Sequence, residues 1–211
     1  LVLGKIPKGR YYRVIRDRRF ATGAAECFAL GSKIAVPDIV FTTGGGATNA
    51  AVTFARQGFR AACFCVVGGD VSGETVIREL REERVNFLFR TDPHARHKTG
   101  YSIILLSPSG ERTILTYRGA SEEFRESMIP WAKLKSRWLY LGPLGGAANK
   151  AFSKVLDHAR RLGIQIALNP SGAAIAMGLP TFARLMRGIR VLIMNEEEAS
   201  PLEPPESTAL P

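Results

Sequence analysis

Three consecutive glycines followed by an asparagine stand out in this chain as residues that could bind a polar ligand. The segment reads GGGATN, from Gly44 to Asn49. Glycine has no Cβ, so the backbone of Gly44, Gly45 and Gly46 can take a positive φ and let a ligand come close. The asparagine amide offers donors as well as an acceptor. Apolar residues follow at helical spacing from Ala47 onward, so we expect the loop to be held rigidly by a helix.

A second glycine cluster, a pair of histidines and a pair of cysteines are weaker candidates for a functional site than the first glycine loop. The cluster reads GGDVSG, and its Asp70 stands just before a predicted helix, where a capping role is expected. His94 and His97 lack further ligands at fitting spacing, so an exposed loop is a better interpretation than a metal site. Cys63 and Cys65 lie two residues apart in an apolar run, which is typical of buried thiols on one face of a strand in a reducing cytoplasm.

Segments typical of strands alternate with segments typical of helices through most of the chain. This alternation favours an α/β fold with a mainly parallel sheet covered by helices. Gly163 is a natural stop for one of the helices. Two predicted strands end at polar residues, Asn169 and Asn195, and sites in α/β proteins form at the carboxyl ends of parallel strands. The predicted strands cover residues 61–67, 138–141, 164–168 and 191–194, and two predicted helices cover 72–84 and 147–162.

Three other segments interrupt this alternation and predict a small antiparallel sheet. Its strands are expected within residues 11–20, 34–43 and 99–118, the last as a hairpin around the turn 107–111. Thr99, Tyr101 and Thr113 alternate with apolar neighbours and would give this sheet a polar face. Such a face could form a lid over a ligand site, or it could be an ordinary solvated surface; the two interpretations are equally compatible with the sequence.

Composition limits the classes of protein to consider. The chain has 211 residues, a formal net charge of +10, 45% hydrophobic and 23% charged residues, as expected of a globular domain with a substantial core. No apolar run reaches the length that spans a bilayer, so we expect no membrane partner. The positive charge favours anionic partners such as phosphorylated ligands. A strand with an exposed basic face explains the arginine-rich segment 10–19 better than a nucleic-acid-binding arm, since no nucleic-acid motif accompanies it.

Four segments, taken together and in order, resemble the ribokinase-like or PfkB family of carbohydrate kinases. The first two are the glycine loop with Asn49 and the glycine-bounded element from Gly68 to Gly73. The third, SGERTILTYRGAS at 109–121, is similar to the family's lid hairpin and the loop that follows it. The fourth, NEEEA from Asn195 to Ala199, resembles the N-x-x-E motif. Four matches in the family's order are far more specific than one glycine motif.

This resemblance implies a ribokinase-like three-layer sandwich and a cytoplasmic enzyme that transfers the γ-phosphoryl group of ATP to a sugar hydroxyl with Mg²⁺. The implied substrate contacts are Gly44, Gly45, Gly46, Asn49 and Tyr101. Asn195 would lie near the phosphates, and Glu198 would hold Mg²⁺ through water, as suits a hard cation. The alternative for these last two residues is a helix start with acidic residues at its positive end. The implied partner is a small-molecule sugar, and the lid sheet could pair two copies of the chain.

Two departures from the family's pattern qualify the implied activity. The family's catalytic aspartate stands in a GAGD motif after N-x-x-E, and none of the five aspartates has that context; they are Asp17, Asp38, Asp70, Asp92 and Asp157. The first segment also lacks the aspartate that usually contacts the sugar. We therefore expect a partial domain over 1–199, truncated at both ends, without a catalytic residue, and a disordered proline-rich tail over 200–211. The alternative is a non-catalytic module for sugar binding or dimerisation; a dinucleotide-binding oxidoreductase is not favoured because GGGATN is not G-x-G-x-x-G.

Overall fold

The computed structural model describes residues 2–7, 9, 11–20, 22–88, 96–143 and 148–202, and divides the chain into two compact units. The first unit combines Leu1–Thr43 with Gly100–Tyr117, and the second combines Gly44–Thr99 with Arg118–Pro211. The strands are β1 (Val2–Lys5), β2 (Tyr12–Arg16), β3 (Ala24–Phe28), β4 (Ile39–Phe41), β5 (Ala62–Cys63), β6 (Asn86–Phe87), β7 (Tyr101–Leu106), β8 (Arg112–Tyr117), β9 (Trp138–Leu141), β10 (Gln165–Leu168) and β11 (Val191–Leu192). The α-helices are α1 (Gly46–Arg56), α2 (Val71–Glu82), α3 (Ala148–Arg161), α4 (Gly172–Ile175), α5 (Leu179–Leu185) and α6 (Glu196–Ala199). Short 3-10 helices cover Gly119–Glu123, Glu126–Met128, Trp131–Lys133 and Ser200–Leu202.

The first unit contains a four-stranded sheet in the order β4-β1-β7-β8 and a separate β2–β3 hairpin. The predicted hairpin of 99–118 is present, and β4 joins its sheet through β1. The predicted sheet was wrong in two respects. β1 pairs with β7 in parallel, so the sheet is mixed, and β2 pairs with β3 instead of joining it. Asp17 N–H donates to Gly23 O at 3.0 Å at the closed end of the β2–β3 hairpin. This local pairing is favoured because closing a short loop costs less entropy than pairing with a distant strand.

The second unit contains two parallel sheets. Strands β9, β10 and β11 form one in the order β11-β10-β9, and β5 pairs with β6 in the other. The predicted strand at 138–141 is confirmed with the same bounds, whereas the segment 61–67 pairs over Ala62–Cys63 alone. Gly163 follows α3 with φ +66°, a left-handed conformation that ends the helix as expected.

Helices pack on these sheets through the apolar stripes that the sequence predicts. Val155, Leu156 and Ala159 of α3 are buried against Ile166 and Leu168 of β10. Ala51 of α1 and Leu80 of α2 are buried with Cys63 at the end of β5. Each fully buried Leu or Ile contributes about 1.5–3 kcal/mol through removal of apolar surface from water. The packed helices therefore hold the carboxyl ends of the parallel strands in place, where the candidate site lies.

Candidate active site

The glycine loop begins α1 with an open helix start. Gly45 is the N-cap residue, with φ +122°, which glycine adopts far more easily than other residues. Its carbonyl oxygen accepts from Asn49 N at 2.9 Å and from Thr48 Oγ1 at 3.0 Å. No side chain of the described residues caps this helix start. The first N–H groups of a helix have no intrahelical partner, so those of the exposed Gly44–Gly46 segment and its first turn are available to an acceptor.

The start of α1 lies directly against the segment that leaves β9. A Cβ built on Gly46 would lie 3.3 Å from Pro143 Cδ, and one built on Gly142 would lie 3.5 Å from Ala47 N. The same position on Gly142 is 3.8 Å from Tyr140 Cε1 of β9. Small residues on both sides therefore allow the helix start to approach the carboxyl end of a parallel strand.

Asn195 and Glu198 form a reciprocal capping box at the start of α6. Asn195 Oδ1 accepts from Glu198 N at 2.7 Å, and Asn195 N donates to Glu198 Oε2 at 3.1 Å. The helix-start alternative is thus present in the structure, and it also fixes the Glu198 carboxylate just beyond β11. The two roles are compatible, because a capping carboxylate still presents charge to the site.

Tyr140 connects the two motifs across the end of the sheet. Burial raises the pKa of the Tyr140 hydroxyl, and the nearby Glu198 carboxylate raises the pKa further. Gly142, two residues after Tyr140, touches the start of α1 as described above. The glycine loop and the Asn195–Glu198 pair therefore lie at the same carboxyl edge of the β9–β10–β11 sheet.

At the second glycine cluster, the segment around Gly68 crosses the start of α2 and the segment 97–99 in close contact. A Cβ on Gly73 would lie 2.2 Å from Gly68 O, and one on Gly68 would lie 2.7 Å from both His97 O and Thr99 N. Asp70 caps α2 by accepting from Gly73 N at 2.9 Å, and it also accepts from Thr99 N at 2.9 Å. The capping role predicted for Asp70 is confirmed.

Hydrogen bonding at this crossing determines the charge state of Asp70. Burial by itself raises the pKa of the Asp70 carboxyl. Hydrogen bonds from Thr99 and Gly73, with Lys98 nearby, outweigh that effect and hold the pKa below its ordinary range. Thr99 is buried here, so the expectation that it belongs to a polar lid face was wrong.

Tyr101 lies in the first unit, at the start of β7 and opposite Tyr117. Strand alternation places Tyr101 on the same sheet face as Thr113, as predicted, and this face also carries the apolar residues Ile103, Leu105 and Leu115. Its role as a substrate contact stays a prediction. Of the two histidines, His94 lies outside the described residues, and His97 is exposed and contacts Glu123.

Comparison with known proteins assigns the chain to a family. Residues 17–208 match the pfkB family of carbohydrate kinases. The chain belongs to this family. Ribokinase of Mus musculus is 30% identical over 165 residues, which are 74% of this chain and 47% of that protein. Ribokinase of Haemophilus influenzae is 26% identical over 162 residues, with 74% and 49% covered.

Solved structures of an adenosine kinase and a ribokinase show the same fold. Adenosine kinase from Sinorhizobium meliloti superposes with a TM-score of 0.68 at 26% identity, covering 79% of this chain and 53% of that one. Ribokinase from Thermotoga maritima gives a TM-score of 0.60 at 19% identity, with 93% and 56% covered. The fold is therefore ribokinase-like, as predicted, and the chain spans about half the length of the curated relatives it matches.

The residues at the carboxyl edge fit the magnesium ion implied by the pfkB family if the ion keeps most of its water ligands. Among the described residues, no three His, Cys, Asp or Glu side chains come together, so an all-protein cage is not formed there. A single carboxylate, Glu198, with the Asn195 amide beside it, suits an ion that keeps most of its waters. Glu198 would hold the ion through water, as the resemblance implies, and Asn195 would lie near the phosphates.

A group of exposed basic side chains lies at the opposite edge of this sheet. Gln165 N donates to Arg137 O at 3.0 Å, and Arg190 N donates to Ile166 O at 2.8 Å, which brings three basic loops together. Their exposed cations are Lys133, Lys135, Arg137, Arg160, Arg161, Arg187 and Arg190. A four-residue strand is about 13 Å long, which exceeds the Debye length of about 8 Å at physiological salt. These charges therefore act on a different surface from the candidate site.

One residue of the site, Tyr140, was not selected from the sequence, and another, Asn169, was noted there only as the polar residue that ends a predicted strand. Tyr140 lies within a predicted strand and has no motif of its own. Asn169 donates from Nδ2 to Glu198 Oε2 at 3.4 Å and to Ile193 O at 2.9 Å. Its place at the end of a predicted parallel strand was the signal that could have identified it.

No helix among the described residues is long and apolar enough to cross a membrane.

Proposed function

We propose that this chain supplies the substrate side of a kinase that transfers the γ-phosphoryl group of ATP to a hydroxyl of a sugar or nucleoside. The observation that carries the proposal is that the α1 start and the Asn195–Glu198 pair lie at one carboxyl edge of the β9–β10–β11 sheet. Family membership supports the reaction class, and the relatives include ribokinases and an adenosine kinase.

Each residue has a defined task in this proposal. The N–H groups at Gly45 and Gly46, which have no hydrogen-bond partner among the described residues, and the amide of Asn49 bind substrate hydroxyls, because hydroxyls without hydrogen-bond partners in a closed site lower the affinity. Tyr101 is a further proposed contact. Asn195 lies near the phosphates, and Glu198 orients the waters of Mg²⁺. ATP, when bound, supplies the phosphoryl group, and the ion neutralises charge that develops on it.

We also propose that these 211 residues alone bind substrate but turn it over slowly. None of the five aspartates stands in a GAGD motif, so the base that would take the proton from the attacking hydroxyl is not among them. Asp70 does not replace it, because its carboxylate is committed to the α2 cap and to Thr99. The family's chemistry would then require residues beyond this sequence.

The test is calorimetric titration with ribose, fructose, a deoxy-keto-gluconate and nucleosides, beside an assay of ADP release. We expect one of these to bind and Asn49→Ala to weaken that binding about tenfold, as the loss of one or two buried hydrogen bonds predicts. Gln57→Ala is the matched control, since Gln57 is an exposed residue at the other end of α1. ADP release at ordinary kinase rates by the isolated chain would contradict the incomplete-site proposal, and binding that ignores Asn49 would contradict the site itself.

A non-catalytic module is the second candidate, and the exposed sheet face of the first unit favours it. Phe41 on β4 is 71% exposed and Leu115 on β8 is 55% exposed, and the register places both on one face at the two edges of the sheet, which is unusual for side chains of this size. Such a face fits a second copy of the chain. Sugar binding that ATP does not alter, together with a dimer in sedimentation equilibrium that Leu115→Lys dissociates, would favour this candidate over the kinase.

A further inference from the structure

Asn169 is the residue at which the ends of the three parallel strands are joined. Its backbone N–H donates to Leu141 O at 2.9 Å, at the end of β9. Its side-chain Nδ2 donates to Ile193 O at 2.9 Å, just after β11. Since Asn169 itself follows β10, one residue links the carboxyl ends of all three strands.

The same side chain reaches the acidic residue of the candidate site. An asparagine amide has two N–H bonds, so Nδ2 can serve Ile193 O with one and Glu198 Oε2 with the other, at 3.4 Å. Asn195 N donates to the same carboxylate oxygen at 3.1 Å. Two donors from different strand ends therefore converge on Oε2, which orients the carboxylate and leaves Oε1 for a further donor.

We propose that Asn169 is a positioning residue that holds the Glu198 carboxylate ready for the water shell of a divalent cation. The inference rests on the proposed function, which places that cation at Glu198. Asn169 does not touch the cation in this proposal, and it acts only through Glu198. Residues that orient a metal-binding group typically change metal affinity 10- to 100-fold when they are removed.

The first experiment measures Mn²⁺ binding to the full 211-residue chain by water-proton relaxation, with Mn²⁺ as the probe for Mg²⁺. We expect Asn169→Ala to weaken binding about tenfold and Glu198→Gln to weaken it at least as much. Gln165→Ala is the matched control because Gln165 is exposed at the other end of the same strand. Unchanged affinity in Asn169→Ala, with Glu198→Gln impaired, would overturn the proposal.

A double-mutant cycle separates positioning from direct contact. If Asn169 acts through Glu198, the Asn169→Ala change has no further effect in the Glu198→Gln background, so the two losses do not add. Additive losses would mean that Asn169 contacts the ion itself or supports the fold in general, and the proposal would fail.

A measurement without metal tests the contact between Asn169 and Glu198 separately from the cation site of the proposed function. The side-chain amide signals of Asn169 are followed by ¹H–¹⁵N NMR, and Glu198→Gln, which leaves Asn169 in place, should shift one of the two amide protons. If neither amide proton shifts, Asn169 does not contact Glu198 and the proposal fails. This test does not use Asn169→Ala, so it remains decisive even if that variant does not fold. A shift without any Mn²⁺ binding by the natural chain would instead refute the cation site of the proposed function and, with it, the positioning role.

Discussion

At the residue scale, Asp70 illustrates how one carboxylate can be given a structural task that excludes a catalytic one. Its oxygens accept from the backbone of Gly73 and Thr99 and from the Thr99 hydroxyl. These hydrogen bonds stabilise the ionised form, which is why the pKa of Asp70 lies below its ordinary value despite partial burial. A carboxylate with a lowered pKa is a poor proton acceptor at neutral pH.

This arrangement predicts a pH-dependent contribution of Asp70 to stability. Because the pKa is lowered in the folded state, the contribution is fully present above the unfolded value of about 3.9 and is lost as pH falls through the folded pKa. Asp70→Asn should therefore destabilise the protein at neutral pH by about 1 kcal/mol, because the amide can still cap the helix but has one acceptor oxygen fewer and no charge for the donors of Gly73 and Thr99, and progressively less in acid. Urea unfolding of both proteins from pH 7 to pH 3 measures the difference, and a difference that does not change with pH would contradict the assignment.

At the element scale, α3 shows which part of a helix matters for holding the sheet. Its buried stripe contacts β9 and β10, and the chain turns away at Gly163 with a left-handed φ. Leu156 is 2% exposed on the stripe, whereas Leu162, just after the helix, is 53% exposed. The same residue type thus occurs in two opposite environments only six positions apart.

These two leucines give a matched pair of substitutions. Leu156→Ala should lower the free energy of unfolding by about 2–5 kcal/mol, because it removes buried apolar surface and leaves a cavity. Leu162→Ala should change it by less than about 0.5 kcal/mol, as is usual for exposed sites. Chemical denaturation of both variants measures the two values. Equal effects would mean that the packing of α3 on the sheet is not as described.

At the scale of the whole molecule, the two units differ in how well their strands are covered. The second unit has buried strand residues such as Ile166 and Leu168, at 1% and 2% exposure. The β2–β3 hairpin of the first unit has Val14 and Ile15 exposed, and a two-stranded hairpin has little stability of its own. The molecule should therefore open unevenly.

Hydrogen exchange tests this difference directly. Amides of β10, which pairs on both sides, should exchange only through large-scale unfolding, and those of β2 and β3 through local opening that costs far less. Mass spectrometry or NMR at neutral pH resolves the two sets of amides. Protection of the hairpin equal to that of β10 would show that the hairpin is covered by something beyond its own unit.

The amino-acid sequence by itself determined the α/β class, the open glycine loop before a helix, the cap at Asp70 and the order of motifs that points to the pfkB family. Those features are encoded locally, by apolar periodicity, glycine freedom and capping chemistry within a few residues. Only the tertiary structure decided that Thr99 bonds Asp70 from 29 residues away and that Asn169 reaches Glu198, also 29 residues away. It also decided that β1 pairs with β7 and that β2 does not join their sheet. Such pairings depend on which strands become neighbours, and strand order is a property of the packed chain that no local window of sequence contains.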